Sequence, residues 1–346
     1  MREFFKNFAL LAGTILLMLF LGEIGVRLME PRSDKQPLSR ILKDSPRRFA
    51  MLPNRTVLRD GVKIHTNSLG YRGDECSRDK PRGTFRIVGL GDSYTFGAGV
   101  DYEDTYLRSL EKLLNKSRPS ASVRYESVNL GVPGYNTVQE LAALREDGLS
   151  LRPDLILVGY VFNDTDEVIT MTGEVHIGQP MGHSAGLTRF ILNLKDRSHL
   201  FRFVSPRLGE VLRKVGIHNI GLVGSYTNQF TENSQRWKRS QEALLEMDTL
   251  ARSVGARFAV LVFPAFVSLS RENYPLLQYH QAVTKFCQAH SIPVYDFYHD
   301  FEGKKANRFW VSLTDPHPNA AANHIVAEAL YRFLTSHRLV STLDRL

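Results

Sequence analysis

Cysteine is nearly absent: Cys76 and Cys287 are the only two in 346 residues. That excludes a disulfide-rich scaffold, and with no C-x-x-C pair it excludes a zinc ribbon. A chain this long buries a core without such staples. Glycine-based nucleotide signatures are missing as well. Gly89 and Gly91 lack a third glycine at the dinucleotide-binding offset, and no G-x-x-x-x-G-K-[ST] occurs. No G-x-S-x-G surrounds Ser93, which argues against the ordinary α/β-hydrolase arrangement. Internal repeats and low-complexity segments are also lacking. With 43% apolar and 23% charged residues the composition is that of a globular protein, neither disordered nor collagen-like. The length alone allows two domains, or one large domain with additions.

The formal charge is +8, and it is uneven. Between Arg32 and Arg59 stand eight Lys/Arg against Asp34 and Asp44. An anionic membrane surface and nucleic acid are the partners such a balance allows. No basic motif interleaved with aromatics supports nucleic acid, so no nucleic-acid partner is expected. The strip follows the longest apolar run of the chain, Phe8–Leu21, which Arg2 and Lys6 precede and Glu23 ends. The run is short for a spanning helix, which takes about twenty residues. As a cleaved secretory signal it lacks a good small-x-small site, since Gly22-Glu23-Ile24-Gly25 follows. An uncleaved signal anchor over 1–30 is therefore expected ahead of a cleaved signal or a buried core helix. Two Lys/Arg before the run and four after it vote for a cytoplasmic body. The short basic start followed at once by an apolar run has the form of an export signal. The expectation is a membrane-anchored protein whose body is extracytoplasmic, on the periplasmic or cell-surface side.

Residues 31–83 form a basic linker and edge segment in this reading, with Lys63–Glu75 wrapping the edge of the domain. From Thr84 to about residue 340 the pattern is regular. Strands are predicted at Phe85–Leu90, Val123–Asn129, Leu155–Val161, Arg257–Phe263 and Ile292–Phe297. Helices are predicted at Tyr102–Lys116, Thr137–Leu149, Gln235–Val254, Leu276–His290 and Asn319–Leu334. The run LILVGYV at Leu155–Val161 is continuously apolar, as in a strand covered on both faces. Strands alternating with helices predict an α/β fold, a parallel sheet of about five strands wound from both sides. Residues 165–234 break the rhythm and are too long for an ordinary connection. They read as an insertion, a lid or a small subdomain with a helix over Ser198–Val215. Its aromatics Phe190, Phe201, Phe203 and Tyr226 could roof a site.

Ligands of open α/β sheets bind at the carboxyl ends of the strands. The first predicted strand leads into Gly91-Asp92-Ser93, the second into Gly131-Val132-Pro133-Gly134, and the third into Phe162-Asn163-Asp164. The last leads, after a loop, into Asp315-Pro316-His317-Pro318-Asn319. Asp315 and His317 each precede a proline, which favours extended backbone. In extended backbone residues i and i+2 point the same way. Asp315 can then orient His317 and stabilise its imidazolium, and Asn319 can cap the last helix. Taken singly each feature has a plain structural explanation: a turn at Ser93, a cap at Asn163-Asp164, a glycine turn at Gly134, a rigid loop at His317. Together, in order, at the ends of the strands, they point to nucleophilic catalysis.

These blocks resemble the SGNH (GDSL-like) hydrolases: FRIVGLGDSYTFGAG around Ser93, VNLGVPGYNT around Gly134, Asn163 in VFND, and DPHPN around His317. The resemblance spans Thr84 to Leu334, interrupted by the insertion. It implies a flavodoxin-like three-layer α/β/α sandwich and a serine esterase. Ser93 would be the nucleophile and His317 the general base. The backbone N–H groups of Ser93 and Gly134, with the Asn163 amide, would form the oxyanion hole. The commonest family pattern places the acid three residues before the histidine, where Thr314 stands; here the candidate is Asp315, two before. Some bacterial members, including ones tied to polysaccharide acetylation, share this spacing. NSLGYRGDE together with the apolar N-terminus resembles the membrane-anchored bacterial branch.

The expected activity is hydrolysis of an acyl ester, O-acetyl or another short chain, on a glycan or a lipid. Two alternatives remain: an O-acyltransferase of a cell-surface polysaccharide using the same residues, and a membrane-tethered binding protein with an idle site. No cofactor or metal is expected, since His176, His183 and His199 have no metal-ligand spacing. His324 has a structural reading. Asp300 is an alternative acid, and Cys76 and Cys287 could pair in an exported protein.

Overall fold

The computed structural model describes residues 1–29, 34, 36–59, 61–117, 123–165, 168–171, 174–177, 194, 197–201, 203–204, 229–231, 233–272, 274–312 and 315–340. Five strands form one parallel sheet: β1 (Thr84–Gly91), β2 (Arg124–Asn129), β3 (Leu155–Tyr160), β4 (Arg257–Val262) and β5 (Val294–Asp296). Their spatial order is β2-β1-β3-β4-β5. The chain leaves β1 toward one edge and returns past it toward the other, so the switch point lies between β1 and β3. Ligands of flavodoxin-like sheets bind there.

Helices cover both faces. Along β3, Leu155 and Leu157 face one core and Ile156, Val158 and Tyr160 the other. The first core is closed by α3 (Tyr106–Lys116) and α8 (Ala320–Ser336), through Leu107, Leu110, Val326 and Leu330. The second is closed by α4 (Thr137–Glu146), α5 (Gln235–Ser253) and α6 (Leu277–Ala289), through Leu144, Met247 and Val283. Every residue of β3 is buried, and this double cover is why its sequence shows no alternation. Polar side chains start the helices as helix capping predicts. Thr105, Asn136, Ser234 and Asn319 each accept a backbone N–H of the first turn, and Asn136 forms a full capping box with Gln139.

The expected linker is more structured than its composition suggests. Ser39–Ile41 pairs antiparallel with Phe49–Met51, and Thr56–Arg59 pairs with Val62–His65. Phe49, Met51, Val57, Ile64 and Tyr71 are buried in the α4–α6 core, while Arg40, Lys43 and Arg48 face outward. Strands of three and four residues are too short to show a period of two, so only their charge was visible. The Lys63–Glu75 segment reaches the loop that follows β1 through Arg72. Arg72, 2% exposed, donates to the carbonyls of Phe96, Gly97 and Val100.

The N-terminus is one helix, α1 (Arg2–Met29), exposed along nearly its whole length and long and apolar enough to cross a membrane. Near its end Glu23 accepts the Ser198 hydroxyl at 2.9 Å and the His199 and Leu200 backbone N–H groups at 3.0 Å. Of the 165–234 region, the sequence-predicted helix over Ser198–Val215 lies mostly outside the described residues, as do Phe190 and Tyr226. A two-stranded hairpin, Val168–Met171 with Glu174–Ile177, is described. Cys76 and Cys287 are both free thiols, so the pairing that export would permit is not present.

Candidate active site

The loops at the carboxyl end of the sheet bring three sequence-predicted residues into one line. Ser93 opens the single-turn helix α2 (Ser93–Phe96) directly after β1. The turn is tight because Gly91 has φ +151° and a Cβ there would sit 2.1 Å from the Thr95 hydroxyl. Only glycine takes both that conformation and that approach. The Ser93 hydroxyl lies 2.9 Å from His317 Nε2, and His317 Nδ1 lies 2.5 Å from Asp315 Oδ1. The same Asp315 oxygen accepts the His317 backbone N–H at 3.0 Å. Nδ1–H therefore donates to the carboxylate, which leaves Nε2 to accept the serine proton. Ser93, His317 and Asp315 are each partly exposed, so the serine can meet a substrate from solvent.

Backbone contacts with the segment at Trp310–Val311 hold this geometry. Trp310 bridges Pro318 in antiparallel fashion, and the Val311 N–H donates to the His317 carbonyl at 3.0 Å. Asn319 then caps α8, accepting the Ala322 N–H at 3.1 Å. On the far side the Tyr94 ring stands edge-on to the imidazole at 5.7 Å, itself packed on Phe263 and Phe266. The other acid considered, Asp300, is engaged elsewhere by the Tyr295 hydroxyl at 3.1 Å and by Arg332 at 3.7 Å. His324 pairs with Asp104 at 3.2 Å, in keeping with a structural role.

Gly134 is buried in the turn after β2 with φ +84°, the left-handed backbone its sequence position suggested. Asn163 lies in the turn after β3, and its amide donates to Asp92 Oδ2 at 3.2 Å. Asp92 is the residue that sequence reasoning passed over. It is 1% exposed, accepts the Tyr94 N–H at 2.9 Å, and lies 3.4 Å from the Ser93 hydroxyl. Burial raises its carboxyl above the ordinary range, opposed by the Tyr94 N–H, the Asn163 amide and the charge of His317. Asp92 thus ties the serine turn to the asparagine turn across the β1/β3 switch point. The only sequence signal for it was its place beside Ser93.

Two further buried acids stand near this turn. Glu140 on α4 and Asp164 after β3 are both fully enclosed, and each carboxyl is pushed well above its ordinary value, chiefly by burial.

Comparison with known proteins gives a family match and several similar solved structures. The family profile "GDSL-like Lipase/Acylhydrolase family" matches residues 90–325. No curated protein sequence matches the chain. Among similar solved structures is a two-domain esterase (CEX) active on acetylated mannans, co-crystallised with mannopentaose. It is 13% identical, with 75% of this chain and 51% of that one covered at a TM-score of 0.45, so the match spans about half of that protein. TesA is 16% identical, with 72% of this chain and 98% of that one covered at a TM-score of 0.43. A catalytic variant of Axe2, an acetylxylan esterase from Geobacillus stearothermophilus, is 14% identical, covering 72% and 94% at 0.43. The profile covers about two thirds of the sequence, and the chain belongs to the GDSL-like lipase/acylhydrolase family of ester-hydrolysing enzymes.

Proposed function

We propose that the chain is a serine esterase acting on O-acetyl or other short-chain acyl esters, with a glycan hydroxyl as the alcohol. The observation that carries this reading is the unbroken line Ser93 Oγ–His317 Nε2 and His317 Nδ1–Asp315 Oδ1 at 2.9 and 2.5 Å. In the first step His317 Nε2 takes the hydroxyl proton as Ser93 Oγ bonds to the acyl carbon. Asp315 holds the imidazole tautomer and stabilises the imidazolium. As the tetrahedral species collapses, the C–O bond to the alcohol breaks and His317 returns the proton to the leaving oxygen. Water, deprotonated by His317, then attacks the acyl-enzyme and releases the acid. The Ser93 and Gly134 N–H groups and the Asn163 amide are assigned to the oxyanion. Asn163, held by Asp92, is the one side-chain donor in the set.

The decisive experiment is hydrolysis of p-nitrophenyl acetate by the full chain and by Ser93→Ala. Loss of at least about a thousandfold in kcat is expected. Full activity in the variant would remove Ser93 from the reaction. Mass analysis of products with and without a glycan acceptor then tells hydrolysis from acyl transfer.

The same reading makes α1 a membrane anchor with the catalytic domain on the extracytoplasmic side. Its apolar run, its basic flank and its exposure along its length support this. Protease accessibility of the domain in intact cells tests the side.

A further inference from the structure

Besides the Ser93 N–H, two loops carry the assigned oxyanion donors: the turn after β2 holding Gly134, and the turn after β3 holding Asn163. Different strands supply them, so something must fix their mutual spacing to a fraction of an ångström for both donors to serve one oxygen. The residue next to Asn163 is Asp164, and on the other side the buried face of α4, which begins at Thr137, carries Gln139 and Glu140. Two connections run between them. The Asp164 carbonyl accepts the Thr137 N–H at 3.3 Å and the Thr137 hydroxyl at 3.2 Å. One helical turn on, the Glu140 carboxyl faces the Asp164 carboxyl closely enough for each to perturb the other.

That second connection is chemically unusual. Glu140 is 0% exposed, and neither of its carboxyl oxygens receives an N–H or O–H donor among the described residues. Asp164 is 2% exposed, and its Oδ1 is likewise without one, while Oδ2 accepts the Val161 N–H. The ionisable groups facing the pair are Asp92 from the end of β1, Tyr106 from α3, Tyr160 from β3 and Tyr279 from α6. All four are acids. The Tyr106 hydroxyl is paired with Thr95, Tyr160 with Ser240, and Tyr279 with the Tyr160 and Phe263 carbonyls. Among the described residues no cation is found to offset a charge on the pair. Two carboxylates cannot sit in contact in such surroundings, whereas a carboxylic acid and a carboxylate can share one proton.

We infer that Glu140 and Asp164 are positioning residues for the oxyanion hole, a proton-sharing clip that holds the Asn163 turn against the Gly134 turn. The inference rests on the function proposed above. Neither residue touches substrate; both act through the placement of the two donors. Loss of the shared proton turns the clip into two repelling anions and parts the turns, so the clip sets an alkaline limit to turnover. A mere filler of core volume would set none.

The test compares the pH dependence of kcat and KM on p-nitrophenyl acetate for the full chain, Glu140→Gln and Glu140→Ala, with Ser93→Ala as reference. In the parent, kcat should fall on the alkaline side. Glu140→Gln keeps a hydrogen bond to Asp164 without a titrating proton, so it should retain kcat within about threefold at neutral pH and lose the alkaline fall. Glu140→Ala should lower kcat about 10- to 100-fold with KM little changed. An alkaline fall that persists in Glu140→Gln, or is absent from the parent, overturns the clip. So does an Ala variant that melts cooperatively and keeps the parent's kcat. If Glu140→Ala does not fold, the Gln profile alone decides. Activity retained by Ser93→Ala would instead overturn the assigned nucleophile, a different result from any of these.

Discussion

At the scale of single residues, the site depends on which atoms have no substitute. In the proposed mechanism Asn163 supplies the one oxyanion donor that mutagenesis can remove. Asn163→Ala should cost about 10²–10³ in kcat with KM barely moved, as measured by initial rates on a short acyl ester. Gly91 has no tolerance for a side chain, because its φ is +151° and the Thr95 hydroxyl fills the space. Gly91→Ala should destabilise the fold by about 2–4 kcal/mol through strain and overpacking, read as a lowered denaturant midpoint. The line of Ser93, His317 and Asp315 was legible in the sequence because the proposed chemistry leaves few residue types for such a line, and the flanking prolines fix Asp315 and His317 locally. Asp92 and Glu140 were not legible. Their importance comes from burial and from contacts with residues 71 and 24 positions away, which no local spacing encodes.

At the scale of elements, the sheet was visible because each of its strands is doubly covered or flanked by clear turn signals. The α4 start illustrates how far local chemistry carries: Asn136 and Gln139 bond reciprocally as a capping box. Asn136→Ala should lower stability by about 1 kcal/mol, measured by thermal or chemical denaturation. The two N-terminal hairpins escaped notice, since their inward residues are few and a basic strip dominates the composition. Their functional connection is Arg72. Its buried guanidinium, drawn down to about 10 by burial, binds the three carbonyls that follow the serine helix. Arg72→Met should leave those carbonyls without their donor. We expect a destabilisation of about 2–4 kcal/mol in denaturant melts, together with a lower kcat, because the turn holding Ser93 loosens.

At the scale of the whole molecule, the buried acids give stability a pH dependence of definite sign. Burial raises Asp92, Glu140 and Asp164 above their unfolded values near 4. Between the unfolded and the raised values the folded chain binds more protons than the unfolded one. Their contribution is therefore full below the ordinary carboxyl range and is lost as pH rises through the raised values. The melting temperature of Glu140→Gln relative to the parent should improve steadily as pH is raised above about 5; a difference that stays flat or reverses would contradict this. The overall chain order, a long apolar helix first and a regular α/β pattern after residue 84, followed from composition and periodicity. How α1 meets the segment at Ser198–Leu200 did not, because Glu23 finds those partners 175–177 residues away. The placement of the acid and base on one extended stretch has a consequence for assembly. Ser93 and His317 are separated by 224 residues, and closing a loop of that length costs about 5 kcal/mol in chain entropy. Because Asp315 stands two residues from His317, the three groups require that long closure only once. A break anywhere between residues 94 and 314 leaves acid and base on the same fragment, so two complementary pieces need to find a single register to rebuild the catalytic line.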